Sequence, residues 1–103
     1  MLPAVTSANL AGEVDEGRSL ATALESGQTD CGQLSAPQFD AIGEYAMARY
    51  LGDGQAHEAM NRRMTLMMGE SGEARMHQAL GRRYSDCGGA GAAGWIAPMA
   101  GMM

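Results

Sequence analysis

HEAMNRRMTLMMGESGEARMH, residues 57–77, holds both histidines and five of the ten methionines of this 103-residue chain. On an α-helix at 100° per residue, the first part of the stretch places one imidazole and four thioethers within an arc of about 100°, the width of one buried face. These residues are His57, Met60, Met64, Met67 and Met68. Gly69-Glu70-Ser71-Gly72 then interrupts the helix, and a second helical run brings Met76 and His77. A short connection between two helices usually makes them antiparallel neighbours, so the stretch predicts a helical hairpin.

Two interpretations of this methionine arc stay open. Methionine is flexible and fills irregular gaps, so a methionine arc at helical spacing is typical of core packing or of an adaptable protein-binding groove. Thioether and imidazole are also the donors that Cu(I), and by the same softness Ag(I), prefer. The second interpretation predicts a soft-metal site built from His57, Met60, Met64, Met67, Met68, Met76 and His77.

Helical periodicity continues on both sides of the stretch. Apolar residues recur at helical spacing from Leu10 to Leu24, with Gly17 on the same face, where a missing side chain permits close helix approach. Ser35 and Gln38 are spaced as a capping box before a second apolar face. That face comprises Phe39, Ile42, Gly43, Ala46 and Tyr50, and the face after the glycine break comprises Met76, Leu80, Tyr84 and Cys87, with His77 at its margin.

These patterns predict an all-α fold, because no stretch alternates with a period of two and no hairpin dipeptide separates apolar runs. We expect a small four-helix bundle with antiparallel neighbours and helices near residues 7–26, 36–51, 54–68 and 72–86. Residues 1–87 form the single expected domain. Residues 88–103 are rich in glycine, alanine and methionine and lack apolar periodicity, which predicts a flexible tail.

The two cysteines, Cys31 and Cys87, bracket the centre of the chain and do not form a C-x-x-C motif. The spacing indicates a disulfide that would brace a small core, although two reduced, buried thiols stay possible at this point. A disulfide persists in an oxidising compartment, so pairing favours a periplasmic, secreted or cell-surface location. The first six residues lack the features of a signal peptide, so we expect any export signal to be absent from this sequence.

Charge and hydropathy exclude two classes of partner. Residues 1–58 carry nine acids and two arginines (net −7), and residues 59–103 carry three acids and five arginines (net +2). The overall charge of −5 opposes binding to nucleic acid, and no aromatic residues interleave with the arginines. The chain has no run of eighteen apolar residues, so we expect no membrane span. We therefore expect the partner to be a metal ion or another protein. The sequence does not predict the oligomeric state.

The remaining motifs argue against enzyme activity. His57-Glu58 opens like the zinc-protease motif H-E-x-x-H, but Asn61 stands where the second histidine belongs. Glu73 and His77 are one residue further apart than the Glu-x-x-His pair of carboxylate-bridged metal bundles, and no second copy occurs. Since no nucleophile has a recognisable setting either, we predict a protein that is not an enzyme.

One resemblance covers about residues 28–87. Its motifs are Gly43-Glu44 with Met47, His57-Glu58 with Met60-Asn61, Met64, Met67-Met68-Gly69, Gly72-Glu73, Met76-His77, Gly81-Arg82-Arg83 and Cys87. On these motifs the chain is similar to small, methionine-rich helical proteins of the bacterial extracytoplasmic space, a group that carries over no activity. The resemblance implies an exported helical domain, and it identifies no metal.

Overall fold

Three α-helices make up most of the chain that the structure, a computed structural model, describes: residues 7–88, with side chains from Leu10 onward. They are α1 (Ser7–Ser26), α2 (Ala36–Leu51) and α3 (Gly54–Tyr84), and a short 3₁₀ turn (Cys31–Gln33) connects α1 to α2. No strand occurs in this range, so the all-α prediction is confirmed. Apart from Gly88, the predicted tail lies outside the described residues.

The helix boundaries follow from local capping chemistry. Ser35 and Gln38 form the predicted capping box, in which the Ser35 side chain accepts from the Gln38 backbone N–H and the Gln38 side chain accepts from the Ser35 N–H. Gly52 ends α2 in the left-handed conformation with φ 69°. Asp53 then caps α3 by accepting from the Gln55 N–H at 2.9 Å.

The predicted count of four helices is wrong, because the third and fourth predicted helices belong to one element, α3. Gly69 alone departs from helical geometry, with φ 77° and ψ 170°, and helical structure resumes at Glu70. A four-residue connection is not needed, since one glycine in this conformation redirects the chain at no steric cost. We call residues 54–68 the first limb of α3 and residues 70–84 the second limb.

The two limbs fold back on each other. In a straight helix, His57 and His77 would lie about 30 Å apart at 1.5 Å per residue. In the structure, ring nitrogens of both lie within 4.8 Å of each other and of one carboxylate oxygen of Glu44. Thr65 also reaches across from the first limb, with its hydroxyl 3.4 Å from Glu73 on the second. Gly69 therefore creates the hairpin that the sequence predicts.

α2 is the central element, and it packs against both α1 and α3. Glycines permit the closest approaches: a Cβ atom at Gly17 would clash with the Ala41 carbonyl, and one at Gly43 would clash with the His77 carbonyl. A Cβ at Gly81 would clash with the Phe39 carbonyl in the same way. The close approach predicted at Gly17 is confirmed, and two further contacts of the same kind bring α2 against the second limb.

The buried helix faces differ from the predicted apolar faces. Tyr50, predicted to lie on the buried face of α2, is 88% exposed, and Glu44 is buried instead. On the second limb Met76 is exposed, whereas His77, predicted at the margin, is fully buried. The apolar pattern misplaced these faces because it gives no weight to polar groups that bond to each other, and on the second limb it omits the buried glycines Gly72 and Gly81.

Cys31 and Cys87 form the predicted disulfide, with their Cα atoms 5.4 Å apart. The bond joins the 3₁₀ turn before α2 to the chain just after α3. Within the described residues, no helix combines the length and apolar character needed to cross a membrane.

Candidate metal centre

The Glu44 carboxylate lies at the centre of a buried polar cluster between α2 and both limbs of α3. Its Oε1 is 2.8 Å from His57 Nε2 and 3.2 Å from His77 Nε2. Asn61, one turn after His57, donates from Nδ2 to Oε1 at 3.0 Å and to Oε2 at 3.2 Å. All four side chains, those of Glu44, His57, Asn61 and His77, are at most 3% exposed. A charged group is rarely buried this far without a strong partner.

The hydrogen bonds of His77 fix its tautomer. Its Nδ1 lies 2.6 Å from Glu73 Oε1 and 3.0 Å from the Glu73 backbone carbonyl. Because a backbone carbonyl can only accept, Nδ1 carries a proton, and in the neutral ring Nε2 presents a lone pair. In metal sites, a carboxylate often accepts a hydrogen bond from one imidazole nitrogen and thereby orients the second nitrogen toward the metal. Glu73 and His77 have this arrangement.

Two buried polar atoms in this cluster have no hydrogen-bond partner. They are His77 Nε2 and Asn61 Oδ1. The contact of 3.2 Å between His77 Nε2 and Glu44 Oε1 is an ion pair when the ring is protonated, but it lacks hydrogen-bond geometry. In the neutral ring, Nε2 presents its lone pair to the same carboxylate. A buried polar atom without a hydrogen-bond partner lowers the free energy of unfolding. Such an atom is therefore a candidate position for a bound ion.

The cluster shifts the pKa values of its members. Burial raises the pKa of Glu44 from 4.5 to about 8, although the charge of His77 and the hydrogen bond from Asn61 oppose the rise. Burial also raises the pKa of Asp40 from 3.8 to about 6. Burial and the charge of His77 lower the pKa of His57. For His77, burial disfavours the charged ring, but the Glu73 hydrogen bond and nearby carboxylates outweigh it and raise its pKa.

Carboxylates from further turns join the cluster. Asp40 lies one turn before Glu44 on α2. Asp40, Glu44, Glu73 and His77 each place one ligand atom within 4.8 Å of the ligand atoms of the other three. Glu44, His57 and His77 make a second such group. Glu13 of α1, at an exposed position, also contributes to the raised pKa of Glu44 through its charge. The histidines and carboxylates of three helices therefore converge on one place.

The residues predicted as soft-metal ligands are distributed differently. His57 and His77 come together as predicted, but the hydrogen bonds and ion pairs described for them are with carboxylates and the Glu73 backbone, not with methionine. Met64 is buried at 8% exposure, whereas Met67 is 74% exposed. Met60, Met68 and Met76 are also exposed, each by more than a third. The buried face of the first limb is therefore His57, Asn61 and Met64.

Sequence analysis missed the carboxylate members of the site. Asp40 and Glu44 are four residues apart, as are Glu73 and His77, so each pair lies on one helix face. Those spacings are present in the sequence, but the Glu-x-x-His motif has a separation of three and does not include them. The convergence of the two pairs with His57 depends on how α2 packs against α3, which no local pattern specifies.

Two surface cavities lie elsewhere. One is lined by residues around Cys31 and Tyr84, and the other by α2 and α3 residues that include Met47 and Leu80. Neither is lined by Glu44 or the histidines. The cluster therefore borders neither cavity; its Glu44, His57 and His77 side chains are buried, whereas Asp40 and Glu73 are partly exposed.

The chain is thus a helical domain with a candidate metal centre between α2 and both limbs of α3. Comparison with protein-family models, with curated proteins and with solved structures finds no match.

Proposed function

We propose that this protein binds a divalent transition-metal ion of the Zn²⁺ class through Glu44, His57 and His77. The observation that carries the proposal is the fully buried, unpartnered Nε2 of His77, which faces a carboxylate oxygen that also contacts His57. An ion between these atoms would displace the proton that His77 and Glu44 hold and would bond to two atoms that lack a hydrogen bond to each other. Imidazole with carboxylate is a donor set that Zn²⁺ commonly takes.

The spacing of the donor atoms supports the proposal. Ligand atoms about 2.05 Å from a tetrahedral Zn²⁺ are separated from each other by about 3.3 Å. The two contacts to Glu44 Oε1, at 2.8 and 3.2 Å, need only small shifts to reach that separation. Glu73 would act on His77 from outside the ligand set, since it already accepts from Nδ1.

A binding role without catalysis fits the surroundings of the cluster. Catalytic zinc sites keep a coordination position open to substrate, whereas these donors are buried and neither described cavity reaches them. The ion would join α2 to both limbs of α3 and thereby stabilise the fold. The disulfide supports placing this role in an oxidising, extracytoplasmic compartment.

Cu(I) or Ag(I) binding through the methionines stays a prediction. The exposure of Met60, Met67, Met68 and Met76 leaves these thioethers accessible to a soft ion or to a protein partner. A Cu(I) competition titration with a chromophoric chelator tests it, with Met60→Leu and Met64→Leu combined as the variant. Unchanged Cu(I) affinity in that variant would contradict the prediction.

Zn²⁺ titration followed by NMR tests the proposal directly. The chain has two histidines, so each ring can be observed separately. We expect Zn²⁺ added to the metal-free protein to shift the ring signals of both and to raise the melting temperature. Ring signals that stay unchanged for both histidines would overturn the proposal.

Glu44→Gln is the informative variant, because it keeps the shape of the side chain and removes the negative ligand. We expect at least a tenfold weaker Zn²⁺ affinity, measured by competition with a chelating dye. Glu70→Gln, at an exposed position on the same helical hairpin, is the control and should bind as the wild type does. Circular dichroism establishes that both variants are folded; equal affinity in folded Glu44→Gln would contradict the ligand assignment.

A further inference from the structure

Glu44 and His77 belong to both groups of candidate ligands. The first group adds His57, and the second adds Asp40 and Glu73. The proposed function uses the first group alone, which leaves two carboxylates of the second without an assigned cation. We infer that the cluster holds two divalent cations, with the second bound between Asp40, Glu44 and Glu73 and with the Glu44 carboxylate shared by both. This inference rests on the proposed function.

The balance of charge favours two ions over one. Asp40, Glu44 and Glu73 carry three negative charges when ionised, and Glu13 adds a fourth at the edge of the cluster. The chain has no lysine, and each ion pair described for Glu44 or Glu73 is with a histidine. One divalent ion would leave two of these four negative charges uncompensated in a partly buried place, and a second divalent ion would balance them.

The arrangement of donors favours two positions as well. Glu44 Oε1 faces the two histidine nitrogens, so the first ion would bind there. Glu73 uses Oε1 to accept from His77, and its Oε2 has only a long contact, 3.4 Å from the Thr65 hydroxyl. A carboxylate has about four lone-pair directions, so both Glu44 and Glu73 retain acceptor capacity for a second ion.

A second unpartnered atom lies at the same cluster. Asn61 Oδ1 is buried and has no hydrogen-bond partner, although the same amide group donates to both Glu44 oxygens. It is a neutral oxygen donor beside the shared carboxylate. The cluster thus presents an unpartnered nitrogen of His77 for one ion and additional oxygen donors of the kind that Mn²⁺ prefers.

Mn²⁺ is the probe for the experiment, because two Mn²⁺ ions that share a carboxylate give an exchange-coupled EPR spectrum. Metal ions in two-metal sites lie about 3.5–4 Å apart, close enough for this coupling. Equilibrium dialysis with elemental analysis counts the ions bound per chain. We expect two Mn²⁺ per wild-type chain and an exchange-coupled spectrum. One Mn²⁺ or none per chain, or two without coupling, would overturn the inference.

Asp40→Asn separates the two positions. We expect the count to fall from two to one with loss of the coupled spectrum, while Zn²⁺ still shifts the histidine ring signals. Asp15→Asn, at an exposed position on α1, is the control and should retain both ions. Two coupled ions in folded Asp40→Asn would overturn the inference. The Zn²⁺-dependent shifts of the wild-type histidine signals test the proposed function separately. If those shifts occur but only one Mn²⁺ binds per chain, the second cation is wrong and the proposed function stands.

Discussion

At the scale of single residues, Glu44 has the largest effect on the chemistry of the core. It is a carboxylate at 2% exposure, next to two imidazoles and an amide. Each neighbour stabilises it in a different way: Asn61 donates to it, and the histidines can share a proton or a cation with it. A buried group of this kind makes the stability of the protein depend on pH.

The metal-free protein should lose stability as the pH rises from about 5 to 8. The pKa of Glu44 rises from 4.5 to about 8 on folding, so between these values the folded state binds more protons than the unfolded state. The stabilisation is fully present below pH 4.5 and is lost as the pH passes the folded-state pKa. Asp40, with its pKa raised from 3.8 to about 6, acts in the same direction at lower pH.

Chemical denaturation in the presence of a chelator, at pH 5 to 8, measures this effect for wild type and for Glu44→Gln. The lowered pKa of His57 acts in the opposite direction in both proteins, whereas the raised pKa of His77 acts in the same direction as that of Glu44 and depends partly on the Glu44 charge. The wild type should therefore lose free energy of unfolding relative to the glutamine variant as the pH rises. Parallel pH profiles would show that Glu44 does not keep its proton on folding.

At the scale of elements, glycine determines how closely α2 and the second limb of α3 approach. Gly43 of α2 lies directly against the backbone carbonyl of His77, which also sets the distance between Glu44 and that histidine. Gly69 is the only non-helical position within α3, and it reverses the chain so that His57 and His77 meet. Without either glycine, the same ligands would not converge.

Gly43→Ala should destabilise the protein by about 1–3 kcal/mol, because the added methyl group must displace a helix backbone. Gly12→Ala is the control: that glycine is in α1 with open space around it, so alanine there should stabilise by up to about 1 kcal/mol. Urea denaturation of the two variants gives both values. If Gly43→Ala is as stable as wild type, the close approach of α2 to His77 is wrong.

At the scale of the whole molecule, the disulfide closes most of the structured chain into a loop. Cys31 and Cys87 are 56 residues apart in sequence, and the bond joins the 3₁₀ turn before α2 to the chain just after α3. Those two helices provide the ligands of the candidate metal centre. The disulfide and the bound ion would thus restrain the same pair of elements.

Cys31→Ser combined with Cys87→Ser should lower the melting temperature of the metal-free protein by about 10 °C or more. The loop-entropy model gives about 4 kcal/mol for a loop of this length, and 1 kcal/mol shifts the melting temperature of a domain this small by about 4–8 °C. Differential scanning calorimetry measures the change, and reduced, alkylated wild type should behave like the variant. An unchanged melting temperature would mean that the disulfide adds little to the packing of α2 and α3.

The sequence by itself determined the all-α class and most of the residues at which helices begin, break and end. The capping box of Ser35 and Gln38, a helix break beginning at Gly69 and the disulfide rest on short-range chemistry or on there being only two cysteines, and the residues predict each of them. Only the tertiary structure decided which faces are buried. Periodicity along one helix predicts its buried face from hydrophobic residues alone. Burial of Glu44 and His77 depends on polar partners from elsewhere in the fold, and a pattern within one helix contains no information about them. For that reason the histidines were recognised as candidate ligands from the sequence, while the carboxylates that surround them emerged only when α2 and both limbs of α3 were seen packed together.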